Sequence, residues 1–349
     1  MLSEVVIAGR KIGPGQPAFI VAELSGNHGG RIERALELLE HAKACGADAV
    51  KLQTYTPDTI TIDHDGADFR VPTGPWEGRR LYELYAEAHT PWDWHQALFE
   101  RARALDLIIF STPFDFTAVD FLEALNPPAY KIASFEILDL SLVQYIAATQ
   151  RPTIMSTGMA SEQEIDDAVE AFYVAGGAEL ILLHCVSGYP TPIDQSNLLR
   201  IPALTERYGC PVGLSDHTLG TEAALAAVAL RAALVEKHFT MQRSDGGPDA
   251  AFSLEPAELA QLVTGTRAVF AALGTGFSVR AAAEEASMVF RRSIYAVRDI
   301  ALGGKLTAEN IRSIRPGYGL SPKHLPEILG RRARVGISRG TPLSWDLVE

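Results

Sequence analysis

Short apolar runs rich in β-branched residues recur along the chain from Phe19 onward, and between them apolar positions fall three or four residues apart. The runs lie at Phe19–Ala22, Ala49–Leu52, Leu107–Phe110, Ala129–Ala133, Thr153–Met155, Leu180–Leu183, Val212–Leu214 and Leu234–Val235. Of the stretches between, Ile32–Cys45 is typical: Ala35, Leu36, Leu38, Leu39 and Ala42 share one face while Glu33, Arg34, Glu37, Glu40 and Lys43 take the other, the 3.6-residue period of an amphipathic helix. The same pattern predicts helices over Trp94–Leu105, Ala118–Leu125, Leu140–Thr149, Glu162–Ala175, Leu198–Tyr208, Thr221–Leu230 and Pro256–Leu273. Eight strands, each followed by a helix, within about 250 residues predict an α/β fold of the (β/α)8 TIM-barrel type. A doubly wound open sheet shares the alternation and stays open as a reading, although no Gly-x-Gly-x-x-Gly follows the first strand, which weakens its dinucleotide-binding version.

Two regions break the pattern. The insertion Thr54–Thr90 contains Pro57, Pro72, Pro75, Gly66, Gly74 and Gly78 and two acidic clusters; it is too long for a simple strand-to-helix loop and is expected to shape a substrate pocket. After Gly274 the sequence turns to Ala and Glu and then to β-like runs at Ser293–Val297 and Ala333–Ile337. The expected division is a barrel domain over 1–275, a linker over 276–291 and a small domain over 292–349.

Charge is distributed unevenly between these parts. The chain of 349 residues has a formal net charge of −12, yet from Arg280 onward there are 12 Lys and Arg against 7 Asp and Glu, a net of +5 that leaves −17 on the rest. An acidic body and a basic tail attract each other, or meet through an anionic ligand. Dispersed basic residues on an acidic chain argue against a nucleic-acid partner. No apolar stretch approaches the ~18 residues of a membrane span, the N-terminus lacks the pattern of a signal peptide, and three cysteines at unrelated spacings do not make a disulfide framework. A cytoplasmic location is the expectation.

In a barrel of this type the reacting groups stand at the C-terminal ends of the strands, and polar residues fall at those positions here. They are Glu23 and Asn27-His28, Lys51 and Gln53, Ser111-Thr112, Lys131 with Ser134 and Glu136, Ser156-Thr157-Gly158, His184 with Tyr189, Ser215-Asp216-His217, and Glu236-Lys237-His238. Two inward lysines, hydroxyl clusters and a Gly-containing turn suit a phosphate or carboxylate substrate, because donors must replace the water it loses. The alternative for Lys51 and Lys131 is a rim ion pair with Glu23 or Glu136. His217 and His238 lie on successive strand ends, and two neutral imidazoles with carbonyl and water oxygens suit a divalent ion such as Mn²⁺; the alternative is a pair of structural histidines. Met155, Met159, Phe114 and Phe116 read as packing residues, and the cysteines as buried spacers.

Taken together, Ala22-Glu23-Leu24-Ser25-Gly26-Asn27-His28, Lys51-Leu52-Gln53-Thr54-Tyr55-Thr56-Pro57-Asp58, Tyr130-Lys131-Ile132-Ala133-Ser134-Phe135-Glu136, Gly213-Leu214-Ser215-Asp216-His217, Glu236-Lys237-His238-Phe239 and Arg315-Pro316-Gly317 resemble the sialic acid synthase family. Leu24-Ser25 and the run Gln53 to Asp58 are most similar to its pseudaminic acid synthase branch. Ser187 departs from the Asn usual in sialic acid synthases, and Gly246-Gly247-Pro248-Asp249 resembles the sialic version.

The resemblance implies condensation of phosphoenolpyruvate with an N-acetylated amino sugar to a nine-carbon α-keto acid, with release of phosphate. It also implies a divalent metal (Mn²⁺, with Mg²⁺ or Co²⁺ as alternatives) and a C-terminal antifreeze-like (SAF) domain, domain-swapped in a homodimer. Residue by residue, it implies phosphoenolpyruvate contacts from Lys51, Thr112, Lys131, Ser134, Ser156 and Ser215, and sugar contacts from Gln53, Tyr189 and Asp249. His217 and His238 match metal ligands, Glu23 and Glu136 the site carboxylates, and Arg315 a residue set over the partner's sugar. In the pseudaminic branch the sugar is 2,4-diacetamido-2,4,6-trideoxy-L-altrose; N-acetylneuraminate and legionaminate synthases, using N-acetylmannosamine or a diacetamido-trideoxymannose, are the alternatives. SAF domains also occur in sugar-binding and assembly-chaperone proteins; loss of Lys131 or His238 would favour that reading, and neither is lost.

Overall fold

The eight apolar runs close on themselves. In the computed structural model, which describes residues 4–277 and 280–349, a short hairpin of β1 (Val5–Ile7) and β2 (Arg10–Ile12) precedes the barrel strands β3 (Phe19–Glu23), β4 (Ala49–Thr54), β5 (Ile108–Pro113), β6 (Tyr130–Ile132), β7 (Thr153–Ser156), β8 (Leu180–Cys185), β9 (Val212–Asp216) and β10 (Leu234–His238). Neighbours in sequence pair in parallel, and β10 pairs with β3 from Leu234 opposite Phe19 to His238 opposite Glu23, so the sheet has no edge. This closed parallel barrel excludes the open doubly wound sheet.

The helices start and stop where local chemistry directs. Ser161 and Glu164 form a reciprocal capping box at the start of Glu162–Val174, Asp115 and Asp139 accept first-turn N–H groups of Phe116–Glu123 and Leu140–Ala148, and Gly209 ends Arg200–Tyr208 at φ 65°; such caps satisfy N–H and C=O groups that the helix itself leaves unpaired. The apolar helix faces and the outward strand positions build one core, from Ile20 and Leu38 through Phe172 to Leu262.

A second core fills the barrel itself, and here the hairpin matters. Val5, Ile7 and Ile12 pack with Phe19, Val21, Ala49, Phe110, Ala129, Ile154, Ile181, Leu183 and Leu234, plugging the N-terminal end of the strands. The hairpin turns at Ala8 and Gly9, both at positive φ. At Gly213 a Cβ would come within 2.3 Å of Leu234 O, so no side chain fits there.

The insertion between β4 and β5 is more ordered than a loop: it carries the helices Pro57–Ile60 and Leu81–Ala88 and a bridge between Arg70 and Arg80. The chain divides into two compact units at Gly274 and Thr275. The second contains the antiparallel pair β11 (Ser293–Ala296) and β12 (Ile311–Ile314) around a core of Ile294, Ile300, Leu306, Ile311, Ile328, Ile337 and Leu343. The run Ala333–Ile337 is not a strand; its ends make isolated bridges to Val348 and Ile300. Within the segment expected as a linker, Ala286–Phe290 forms a tight turn and Val289 O accepts the Gly317 N–H at 3.0 Å; residues 278 and 279 of that segment lie outside the described residues. Among the described residues, no helix is long and apolar enough to cross a membrane.

Candidate active site

At the C-terminal end of the barrel the inward positions change from apolar to polar within one step of each strand. Because side chains alternate across a strand, the residues following the apolar interior layer are Glu23, Lys51, Thr112, Lys131, Ser156, Cys185, Ser215 and Glu236, all buried. The centre of this ring is Glu236. Its Oε1 accepts from Lys51 Nζ at 2.8 Å and from Ser215 Oγ at 3.3 Å, and lies 3.6 Å from Lys131 Nζ. Lys51 Nζ is also 3.4 Å from Glu23 Oε2, and Glu23 Oε1 accepts from Gln53 Nε2 at 2.7 Å. The anionic partners of the two lysines are therefore Glu236 and Glu23; Glu136, expected as a possible rim partner, pairs with neither.

Burial and charge set the protonation states. Burial pushes the Glu23 carboxyl up to about 7 despite the adjacent Lys51. It also pushes Glu136 up to about 7, with Lys131 opposing. Burial disfavours the Glu236 anion too, but the two ammonium groups outweigh it and hold the group down to about 2. Lys131 is lowered by burial to about 8 although Glu236 faces it. Carboxyls that titrate near neutrality beside a permanently charged one are what proton transfer at physiological pH requires.

The ring is built with unused capacity. Glu23 Oε2, Thr112 Oγ1, Glu136 Oε2, Ser156 Oγ, Glu236 Oε2 and His238 Nδ1 are buried without hydrogen-bond partners, a density of open polar atoms that a stable interior does not tolerate unless a ligand satisfies them. Ser134 Oγ accepts the Gly158 N–H at 3.2 Å, and a Cβ on Gly158 would lie 2.4 Å from Ser187 Oγ and 2.7 Å from Ser134 Oγ. The glycine thus keeps the hydroxyls of Ser134 and Ser187 open.

His217 and His238 stand side by side, ring centroids 5.4 Å apart. His217 Nδ1 lies 3.1 Å from Val186 O; a carbonyl only accepts, so Nδ1 carries a proton, and in the neutral ring Nε2 presents a lone pair that can accept or ligate. His238 is held neutral by burial, with His217 beside it also disfavouring its charge, and its Nδ1 lies 3.8 Å from Asp249 Oδ2. Burial disfavours the His217 cation but the adjacent Cys185 outweighs it and raises the ring pKa, so the two imidazoles, with Asp249 nearby, suit a divalent transition metal once His217 has given up its proton. Among the described residues, no three His, Cys, Asp or Glu side chains form a group that would hold a metal by themselves, so a metal here would need substrate or water oxygens besides the two imidazoles.

Asp249 accepts from Ser25 Oγ, which stands on the turn after β3 at φ 48°. Tyr189 lies over His217 at 4.4 Å between centroids and is flanked by Phe252 at 5.4 Å and Trp76 at 5.6 Å. Trp76 Nε1 donates to Pro248 O at 2.7 Å, which anchors the insertion beside this aromatic wall.

The barrel residues singled out from the sequence thus converge on one end. Arg315 belongs to the second unit, where it is exposed at the end of β12. Glu236 is named among the strand-end residues but is given no role by the sequence, and the structure makes it the centre of the ring. Cys185, read from the sequence as a spacer, is an inward side chain whose Sγ lies 3.8 Å from His217 Nδ1, and although burial disfavours its thiolate, His217 lowers it to about 7.

Residues 38–278 match the NeuB family and residues 291–349 the SAF domain. The chain is 44% identical over 325 residues to pseudaminic acid synthase of Campylobacter jejuni subsp. jejuni serotype O:23/36 (strain 81-176), covering 93% of this chain and 95% of that one. It is 43% identical over 335 residues to pseudaminic acid synthase of Helicobacter pylori (strain ATCC 700392 / 26695), covering 96% and 98%. The N-acetylneuraminic acid (sialic acid) synthetase of Leptospira borgpetersenii serovar Hardjo-bovis, solved in complex with citrate, superposes with a TM-score of 0.74 at 34% identity, over 82% of this chain and 96% of that one. With its barrel, its polar ring and its C-terminal SAF domain, the chain belongs to the NeuB family.

Proposed function

We propose that this protein is a pseudaminic acid synthase, condensing phosphoenolpyruvate with 2,4-diacetamido-2,4,6-trideoxy-L-altrose to a nine-carbon α-keto acid and releasing phosphate. The observation that carries the reaction class is the pair of buried lysines around Glu236, with open hydroxyls on one side and paired imidazoles on the other. Identity of 43–44% to enzymes of that name over 93–96% of the chain supports the branch.

In this reading Lys51, Lys131, Ser156, Ser215, Thr112 and the Ser134–Gly158 cradle hold the phosphate and carboxylate oxygens of phosphoenolpyruvate, whose two anionic ends need charged donors in place of water. Gln53, Tyr189, Asp249 and Glu23 hold the open-chain sugar. His217 and His238 would hold a divalent ion, Mn²⁺ in preference to Mg²⁺ or Co²⁺, which when bound would supply Lewis-acid polarisation of the sugar aldehyde. The bond forms between the methylene carbon of phosphoenolpyruvate and the aldehyde carbon, and the aldehyde oxygen takes up a proton. Water adds to the central carbon of the former enol, losing its proton to Glu136, which burial equips as a base near neutrality. The C–O bond to phosphate then breaks, the hydroxyl proton leaves with it as hydrogen phosphate, and the remaining oxygen becomes the keto group. The assay is phosphate release from phosphoenolpyruvate across a panel of hexosamines: the diacetamido sugar is expected as the best acceptor, with EDTA abolishing turnover and Mn²⁺ restoring it. Full turnover by rigorously metal-free protein would remove the metal from this reading.

The enzyme is further proposed to be a cytoplasmic homodimer in which the basic C-terminal domain serves the partner's acidic barrel, so that Arg315 closes over the partner's sugar and excludes water. The charge split of +5 against −17 supports this. Arg315→Ala and His238→Ala chains, each inactive alone, should regain activity when mixed. Absence of complementation after verified subunit exchange would assign each Arg315 to its own chain.

A further inference from the structure

His217 and His238 project inward from the ends of adjacent strands, and His238 has no hydrogen bond at Nδ1 to orient it. Ring packing against Phe252 and Tyr189 and the backbone beneath it then place it. On the outer face of the same two strands lie Asp216 and Lys237, direct partners in the β9–β10 register and each 1% exposed. Lys237 Nζ donates to Asp216 Oδ2 at 2.9 Å and to Thr218 O at 2.6 Å, while Asp216 Oδ1 accepts the Thr218 N–H at 2.9 Å. The three bonds enclose His217: one ties its preceding residue to β10, one ties its following residue to β10, and one joins those two residues across it.

We propose that the buried Asp216–Lys237 pair is a positioning device that fixes the spacing of the two imidazoles before a metal binds. Two charges taken out of water are a costly way to fill space that apolar side chains would fill as well. What the pair supplies that apolar contacts lack is direction, because a slip of one strand end against the other leaves a charge buried and unpaired. Lys237 sits between Glu236 and His238, so the same clamp fixes the strand carrying the anchor of Lys51 and Lys131. This inference rests on His217 and His238 being the metal donors.

The test measures Mn²⁺ binding by full-length, metal-free protein, reading free Mn²⁺ by electron paramagnetic resonance, together with the visible absorption of the Co²⁺ form. Wild type should bind, and His238→Ala should not; failure of either would refute the donor reading itself. The double variant Asp216→Leu with Lys237→Met, which removes both charges and keeps the volume, should unfold cooperatively yet bind Mn²⁺ more weakly by about ten-fold or more, the scale of lost support behind metal ligands, with an altered Co²⁺ spectrum. A folded double variant with wild-type affinity and spectrum would overturn the inference. A second measurement needs no substitution: hydrogen exchange at the Thr218 amide of metal-free wild type should be as slow as in the barrel strands. Fast exchange there, slowed only by added Mn²⁺, would show that the site is shaped by the metal instead, and would overturn the inference even if the double variant does not fold.

Discussion

The two ends of the barrel are made by the same eight strands and obey opposite rules. At the N-terminal end, Phe19, Phe110, Ile154, Ile181 and Leu234 interlock with Val5, Ile7 and Ile12 of the hairpin, with no polar atom to satisfy. One layer further along, the same strands present Glu23, Lys51, Lys131, Ser156 and Glu236, and several of their polar atoms are left without partners. The apolar end stabilises the fold whether or not ligand is present; the polar end is complete only when anions and hydroxyls from outside enter it. Stability and function are thereby separated by a few ångströms along each strand, and changes at the two ends should have separable consequences.

The largest expected effect is at Glu136. Its carboxyl is raised to about 7; in the proposed base role the deprotonated form acts, so activity should rise with pH through that value and fall below it. Glu23, raised to about 7 as well, adds a second titration, making the acid limb of kcat/KM steeper than one proton. Glu136→Gln should lower kcat by roughly 10²–10⁴-fold and reduce that limb to the Glu23 titration alone. An unchanged limb would transfer the base role to Glu23.

Next comes a pair of truncations, one at each end. Lys131→Ala removes a charged contact to a buried anion and should reduce kcat/KM for phosphoenolpyruvate by about 2–4 kcal/mol, with the unfolding midpoint little changed. Phe110→Ala should do the reverse, lowering stability by about 3–5 kcal/mol while leaving the turnover of the folded fraction near wild type. Denaturant unfolding and steady-state kinetics on both variants check the pair. Should Lys131→Ala lose stability and keep its kinetics, the lysine would belong with the structural end.

How much of this was legible in the sequence follows the same division. Parallel barrel strands are covered on both faces and read as largely apolar runs, so the barrel emerged from spacing, and the polar residues at or near the end of each run marked the site. Glu236 is marked at its strand end but without a role, because only strand alternation, which turns Glu236 inward and Lys237 outward, separates a buried site anion from a structural cation. The same alternation, counted from Leu183, turns Cys185 inward. The hairpin escaped notice because three-residue strands carrying Arg10 and Lys11 show no apolar period. In the C-terminal domain, Ala333–Ile337 has strand composition but single bridges to partners distant in sequence, which no local pattern reveals.

The smallest expected effect lies at the rim, where the polar end meets the insertion. Trp76 packs against Tyr189 and Phe252 while its indole N–H donates to Pro248 O, so the insertion adds an apolar surface to an otherwise polar mouth. A 6-deoxy sugar with a methyl group at C6 gains from such a surface, whereas the C6 hydroxyl of N-acetylmannosamine would lose water against it without a partner. Trp76→Ala should therefore narrow the preference for the diacetamido-trideoxy sugar over N-acetylmannosamine, by about 1–3 kcal/mol in relative kcat/KM, the scale of a methylene-sized discrimination. Phosphoenolpyruvate kinetics should stay unchanged, since Lys51 and Lys131 lie deeper in the barrel. Competition between the two sugars, read as product ratio, measures the effect directly. An unchanged ratio would place discrimination among the polar side chains, with Asp249 and Gln53 first to be examined, and an intrinsic preference for N-acetylmannosamine in the wild type would overturn the branch assignment.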